Sequence, residues 1–494
     1  MKPSLAFQYW SNRQRKVRTL LRHSLTIGLG LFSSALSGCT GPRSTLLPLA
    51  STLSAPEGYR VARVITHFHT PYSFDGCDSN GDPTSAKSLK CFEDIRTALC
   101  KNHLDALFLT DHLDSMTRRT IDELLLHQAG DTLITRAGTS ESEVNLTAPC
   151  ADGFQSRLFM GYEAGLMALG MNRQLATDAD SRYTLYNQET SALRNQLQQE
   201  ADAIVAVPHS EARTVDQIAS IQPDALEVYN IHANLDPKIR SRYLALGAFD
   251  PIPDLVAYLI DPYRDLKPDY AFLHFLKISP VYAEKWHQLL ARGLKITGIG
   301  GSDSHQNIFP QRAADGERLD SYRRMTRMMS FHALVPNLEG ASIKTALKRG
   351  RGHLIIEGLG TPISLDFRAV QGSQIFLPGD SVALSNGSVR LQLTPPLPER
   401  TPAQLLRRSP RISLKLFKIG YSSEPATSDP ATLLYDGETS EPTLQFTVTE
   451  PGAYRFAISM KPLHLEFELG DFARLAENEY PWIIGNPIYV TQTP

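Results

Sequence analysis

Residues 64–76 read VITHFHTPYSFDG: an apolar, β-branched run that ends on two histidines one residue apart, with an aspartate six positions after the second. The run predicts a buried strand. In a strand, residues two apart point the same way, so His67 and His69 can reach one centre, with Asp75 close behind them.

Working outward, the pattern recurs. Short apolar runs at 60–66, 104–110, 157–162, 202–208, 225–230, 294–300 and 352–358 alternate with helical patterns such as CFEDIRTALCKNH, TIDELLLHQAG, SALRNQLQQEAD, PVYAEKWHQLLARG and ASIKTALKRG. Strands of this kind are buried on both faces, which predicts a parallel α/β sheet or barrel, and seven of them suggest a closed barrel. Six of the seven deliver polar residues at their C-terminal ends: His67 and His69, Asp111 and His112, Glu163, His209, Asn230 and His232, Asp303 and His305. In a parallel barrel those ends converge on one face, where active sites are built. Imidazole and carboxylate donors without thiolates suit zinc, manganese or iron, and so many donors predict more than one ion. Adjacent ions could clamp a phosphoryl group and activate water.

The motifs THFHTPYSFDG, LTDH, GYE, VPHSE, LEVYN and GGSDSH resemble those of the PHP (polymerase and histidinol phosphatase) superfamily, in order, over residues 60–358. The resemblance implies a distorted seven-stranded (βα) TIM-like barrel, two or three divalent metal ions and hydrolysis of a phosphate mono- or diester. It places His67, His69, Asp75, His112, Glu163, His209, Asp303 and His305 on metal-ligand positions, with Asp303 and His305 also expected in catalysis. Asp111 is expected to orient His112 from behind. The family commonly has another histidine before its PHS strand, but residues 164–208 contain none. Either His232 takes that place or the third metal is weak or absent. GTSESEV (138–144) offers competing glutamates, but Glu163 directly ends a strand. Arg213, four residues after His209, could bind a phosphate oxygen; an exposed arginine at a loop start is the alternative. Two other readings stand beside this one. An amidohydrolase-type barrel also opens on His-x-His, but usually ends on a lone aspartate. A non-catalytic envelope lipoprotein would hold metal for stability and bind a partner.

From about residue 360 the pattern changes to period two in ISLDFRAV, SVRLQLT, RISLKLFKIG, TLQFTVTE and AYRFAISM, separated by LPGD, SNGS and EPGA. That predicts a C-terminal antiparallel β-sandwich. The ending YPWIIGNPIYV (480–490) reads as a strand docked back into the fold.

The N-terminus has a different character. Lys2, Arg13, Arg15, Lys16, Arg18 and Arg22 precede the apolar stretch SLTIGLGLFSSAL (24–36), which is too short to span a bilayer. LSGC (36–39) resembles a bacterial lipobox, which implies cleavage before Cys39 and lipid on that residue; an uncleaved anchor or ordinary signal peptide is the alternative. The expected division is a signal peptide over 1–38, a tether over 39–58, the hydrolase barrel over 59–358 and the β-sandwich over 359–494. Thr40 is not the aspartate associated with inner-membrane retention, so the periplasmic side of the outer membrane is expected over the inner membrane. Cleavage would remove six basic and no acidic side chains, leaving 44 basic against 52 acidic residues, which argues against nucleic-acid binding. Cys77, Cys91, Cys100 and Cys150 remain, an even count that favours disulfides in an exported protein. Cys77 and Cys91 bracket a polar loop, giving Cys77–Cys91 and, by elimination, Cys100–Cys150, though three connectivities are open. The absence of C-x-x-C spacing speaks against a zinc–thiolate site.

Overall fold

A computed structural model describes residues 46–79, 84–136, 138–249, 252–260, 266–384, 387–422, 424, 426, 428–439 and 441–492. The expected signal peptide, Cys39 and the first part of the expected tether lie outside the described residues. Among those described, no helix is long and apolar enough to cross a membrane.

The first part of the chain forms strands β1 (Arg60–Ile65), β2 (Ala106–Leu109), β3 (Thr132–Thr135), β4 (Ser142–Leu146), β5 (Arg157–Glu163), β6 (Met167–Leu169), β7 (Ile204–Val207), β8 (Ala225–Asn230), β9 (Thr297–Gly301), β10 (Ser330–Val335) and β11 (Gly352–Ile355). The seven strands expected from the sequence are β1, β2, β5, β7, β8, β9 and β11, and they run in one sense. β1, β2 and β5 pair parallel, as do β7, β8 and β9. Three unforeseen strands run against them: β4 pairs with β5, β6 lies between β5 and β7, and β10 between β1 and β11. Among the described residues no ladder joins β9 to β1, only an isolated parallel bridge of Phe68 with Ser304. Past their ends, however, Asp303 N donates to His67 O at 3.2 Å and His69 N to Ser304 O at 3.1 Å.

Both faces of β1 are buried, as its uninterrupted apolar sequence requires. Ala62 and Val64 pack with Phe108, Ala206 and Ile299, while Ile65 faces Leu99 and Leu104. Past the strand end the alternation shifts: Phe68 joins the side of Ile65 and packs on Tyr322, with ring centroids 4.8 Å apart, and His67 and His69 turn to the other side. Of the expected helices, Ala86–Lys101, Ser191–Glu200, Pro280–Ala291 and Gly340–Arg349 form as read. The 120–130 stretch keeps only Ile121–Leu124, started by a Thr120–Glu123 capping box and ended where Leu126 adopts φ 50°.

The second part supplies β12 (Asp366–Gln371), β13 (Gln374–Phe376), β14 (Ser381–Ala383), β15 (Val389–Thr394), β16 (Arg411–Ile419), β17 (Ala431–Gly437), β18 (Leu444–Val448), β19 (Gly452–Lys461), β20 (Tyr480–Gly485) and β21 (Ile488–Thr491). β13, β12, β15 and β18 make a four-stranded antiparallel sheet. It packs on the larger sheet, with Phe367 edge-on to Phe456 at 5.0 Å. The tail is docked as expected, since β20 and β21 both pair with β19. β20 also pairs antiparallel with β11, so one mixed sheet of 17 strands runs through both parts of the chain. Disulfides join Cys77 to Cys91 and Cys100 to Cys150. They suit an oxidising, extracytoplasmic compartment. The second closes a separation of 50 residues, a constraint worth about 4 kcal/mol in chain entropy.

Candidate metal centre

The strand ends gather all nine side chains expected as ligands into four overlapping groups: His69, Asp75, His112 and His305; His67, His69 and Asp303; His67, Glu163 and His209; and His232, Asp303 and His305. Within each group the candidate ligand atoms lie within 4.8 Å of one another. Glu163 and Asp303 tie the groups together. Glu163 reaches His67, His69, His112 and His209 at 3.3–3.4 Å. Asp303 reaches His67, His69, His209, His232 and His305 at 3.1–3.4 Å. Asp75 stands 3.0 Å from both His112 and His305.

The backbone is bent to serve this arrangement. His209 and Asp303 sit in the left-handed region at φ 46° and 47°, where a non-glycine residue costs about 1–3 kcal/mol and persists only when its surroundings hold it there. For His209 the hold is visible: its N–H donates to Glu227 Oε2 at 2.8 Å.

Glu227 was not foreseen as a site residue. Fully buried on β8, it places Oε1 2.7 Å from His67 Nδ1, which fixes the proton on that nitrogen and aims the Nε2 lone pair inward. Gly301 makes room for it, since a Cβ there would stand 2.2 Å from Glu227 Oε1. Ser73 Oγ, 3.2 Å from His69 Nδ1, and Glu211 Oε1, 3.1 Å from His209 Nδ1, hold the next two imidazoles and were also missed. A carboxylate inside the apolar strand ALEVYN was the available signal for Glu227; the serine and Glu211 carried none. Asp111 requires a correction. Its carboxylate accepts from Thr70 N at 2.6 Å and Thr70 Oγ1 at 2.7 Å, so it anchors the loop after His69 and does not orient His112.

Three buried or half-buried carboxylates meet here, and among the described residues none pairs with a lysine or arginine. Burial works against ionisation of Glu163 and Asp303, yet the imidazoles outweigh it and hold both well below the usual carboxylate range. Burial likewise lowers His67, His69 and His209, but the carboxylates win: His67 and His209 are raised well above the ordinary histidine value, and His69 to about 10. The centre therefore demands positive charge. A cation fits the donor geometry better than protons do. His67 Nε2 and His69 Nε2 face each other at 3.1 Å, and the buried Asp303 Oδ1 and His305 Nδ1 have no hydrogen-bond partner.

Arg213 lies beside His209 on an open cleft of about 310 Å³, but its guanidinium is held by Glu189 and by Gly165 O at 3.3 Å. Glu141 and Glu143, the competing glutamates, are drawn instead to Arg136 and Lys344. Phe74, 54% exposed, stacks on His112 at the mouth of the centre.

No family model matches the chain, and no curated protein does. Among solved structures it is similar to a two-domain protein from Bacteroides vulgatus containing a predicted PHP-like metal-dependent phosphoesterase. That likeness is 12% identical, covers 90% of this chain and 100% of the other, and has a TM-score of 0.29. The soluble domain of PmoD from Methylocystis sp. is 10% identical over 26% of this chain and 93% of its own, with a TM-score of 0.16. At these scores neither likeness carries weight, and the site stands on its own geometry.

Proposed function

We propose that this chain is a metal-dependent phosphoesterase of PHP type, acting on a phosphate mono- or diester at the strand ends of a distorted, incompletely laddered barrel. One observation carries the reading: nine imidazole and carboxylate side chains from six strand ends fall into four overlapping groups joined through His67, His69, Asp303 and His305, with Glu163 within 3.4 Å of four of the imidazoles. Shared carboxylates support two or three ions, with zinc, manganese or iron suited to the donors. His67, His69, Glu163, His209 and Asp303 would hold the inner ions, and Asp75, His112, His232 and His305 the outer ones. Bound there, divalent ions would neutralise phosphoryl charge and make water nucleophilic at neutral pH.

The protein's own part is to orient and to move protons. Glu227 keeps the His67 proton on Nδ1, and Glu211 does the same for His209. Asp303 and His305 would also serve catalysis, His305 as the group that could pass a proton to the leaving alkoxide and Asp303, held as a carboxylate, by orienting the imidazoles beside it. Arg213, released from Glu189, would meet a phosphate oxygen in the cleft beside His209. That Asp303 and His305 both enter the cluster favours this reading over an amidohydrolase, whose last strand usually brings an aspartate alone. The proposed division keeps the barrel to 59–358 and the β-sandwich to 359–494. Export, lipid on Cys39 and an outer-membrane, periplasm-facing location complete the proposal, and the disulfides agree with it.

The test is a panel of p-nitrophenyl phosphate, bis-p-nitrophenyl phosphate and amide substrates, with the protein loaded with Mn²⁺ or Zn²⁺. Phosphoester turnover lost in His67→Ala supports the proposal. Turnover of amides alone, or no turnover by loaded protein, rejects it.

A further inference from the structure

His209 keeps its backbone at φ 46°, and what holds it there reaches beyond Glu227. In the turn that follows, Ser210–Ala212, the side chains of Ser210 and Glu211 are buried and both their carbonyls face one cation. Lys285 Nζ donates to Ser210 O at 2.8 Å and to Glu211 O at 2.7 Å. Among the described residues no carboxylate pairs with Lys285, so its ammonium is given over to this turn. Glu211 in its turn stands 3.1 Å from His209 Nδ1.

Lys285 stands on the helix Pro280–Ala291, and the second part of the chain grips that helix. His287, two residues on, points nearly opposite to Lys285, since each helical residue turns the direction by about 100°. Its Nδ1 lies 2.7 Å from Asp429 Oδ1, which leaves Nε2 to accept from Arg455 Nη1, on β19, at 2.7 Å. The Arg455 guanidinium lies over the Trp286 ring at 4.6 Å and the Phe417 ring at 5.3 Å. Trp286 itself is pressed on β9, where a Cβ at Gly298 would meet its ring at 2.7 Å. At the helix end, Ser422 N donates to Ala291 O at 2.8 Å. Among the described residues no carboxylate bonds Arg455 directly, and burial lowers its pKa to about 10 against the pull of Asp429. An apolar side chain would serve packing there at least as well as a buried cation, so the group earns its place by fixing the helix in one position.

We propose that the second part of the chain is scaffold for the metal centre: through Arg455, His287 and the helix Pro280–Ala291 it sets where Lys285 stands, and Lys285 positions His209. The proposal rests on the reading of His209 as a metal ligand. Lys285 and Arg455 act through other residues and are positioning residues. A ligand atom must come within about 0.2 Å of its bonding distance, and a left-handed backbone persists only while its surroundings hold it. With the ammonium gone, Ser210 O and Glu211 O turn to water, and His209 can leave the φ that brings it 3.3 Å from Glu163. His209 enters one group alone, with His67 and Glu163, so the ion of that group feels the change.

The experiment titrates the full chain with Co²⁺, whose visible absorption reports ligand geometry, and measures the denaturant unfolding midpoint beside it. Lys285→Met should bind the ion of the His67, Glu163 and His209 group about tenfold more weakly, with an altered spectrum. Lys285→Arg, which can donate to the same two carbonyls, should recover both. Arg455→Met should move affinity and spectrum in the same direction by less. If either of these chains does not fold, Lys285→Gln or His287→Gln, which weakens the same contact, is read in its place. Leu391→Ala, which opens a cavity in the four-stranded sheet, should lower the midpoint and leave affinity and spectrum as they are. Wild-type affinity and spectrum in Lys285→Met, whatever its midpoint, overturn the positioning role and leave the metal centre standing. The same result in Arg455→Met, with Lys285→Met altered, overturns the role given to the second part of the chain. An equal loss in Leu391→Ala makes the effect a general loosening and also overturns the proposal. A wild type that binds no Co²⁺ overturns the metal centre and this inference with it.

Discussion

Among the described residues, the four overlapping histidine–carboxylate groups and the acids Asp269, Asp315 and Glu317 each bring candidate ligand atoms within 4.8 Å of one another, and the two clusters are built on opposite principles. At Asp269, Asp315 and Glu317 the counter-charge is part of the chain. Arg323 spans Asp269 and Glu317 with bonds of 2.5–3.0 Å, and Arg324 reaches Asp269 at 3.1 Å and also pairs with Asp315. Burial disfavours the Asp269 carboxylate, but the three arginines at 323, 327 and 324 outweigh it and push its pKa below the ordinary value. At Glu163, Asp303 and Asp75, among the described residues, no arginine or lysine enters; the groups that could carry positive charge are imidazoles, and the buried Asp303 Oδ1 and His305 Nδ1 make no hydrogen bond. Proximity of acids alone does not make a metal site. What separates the two is whether the chain supplies the positive charge itself.

Substitutions should separate the groups in the same way. The largest effect is expected for Asp303→Asn, which removes a carboxylate from two of the overlapping groups. It should lose bound metal and cut phosphoester turnover about a thousandfold or more, because ions supply several kcal/mol of transition-state stabilisation. Retention of metal and rate would erase the contrast. Asp269→Asn should do the reverse, costing about 1.5–3 kcal/mol in denaturant unfolding by taking one carboxylate from Arg323 and Arg324, which keep Glu317 and Asp315, with metal content unchanged. Metal loss in that variant would mean the arginine-filled group had been misread. Glu227→Gln sharpens the comparison further. It keeps every ligand but weakens the hold on His67, so metal affinity measured by chelator competition should fall about 10–100-fold.

The effect that is smallest at neutral pH, and grows only on acidification, concerns the buried imidazole of His353. His353, on β11, has its pKa depressed to about 3 by burial and then by His332, opposite to His67 and His69. A histidine held neutral in the fold contributes stability that is complete above about pH 6.5 and drains away as pH falls toward 3, by about 1.4 kcal/mol per pH unit. Unfolding of wild type and His353→Gln across that window should show the steeper loss in wild type. Equal slopes would contradict it.

The centre was legible in the sequence because ligands at strand ends obey local rules. An apolar run announces the strand, and the polar residue after it announces the site. Phe68 buried between two inward histidines is that rule in three residues. Pairing direction has no local signature. Met167–Leu169 is too short to read as a strand, and Ser330–Val335 is followed by a helix and then β11, a sequence that suggests a parallel crossover although the strands pair antiparallel. The ladder between β11 and β20 joins residues about 130 apart along the chain, so the continuity of the large sheet could not be read from either segment. Glu227 was missed for a related reason. Its role depends on His67, 160 residues away, and on the space that Gly301 leaves.

Elemental analysis of the purified full chain, set against Asp303→Asn and Asp269→Asn under the same conditions, reaches the centre of the account. Two or three transition-metal ions per chain in the wild type and in Asp269→Asn, with most of that metal gone from Asp303→Asn, is the predicted outcome. A wild-type protein that takes up no ion even from excess Mn²⁺ or Zn²⁺, or an Asp303→Asn variant that keeps its full complement, would contradict it.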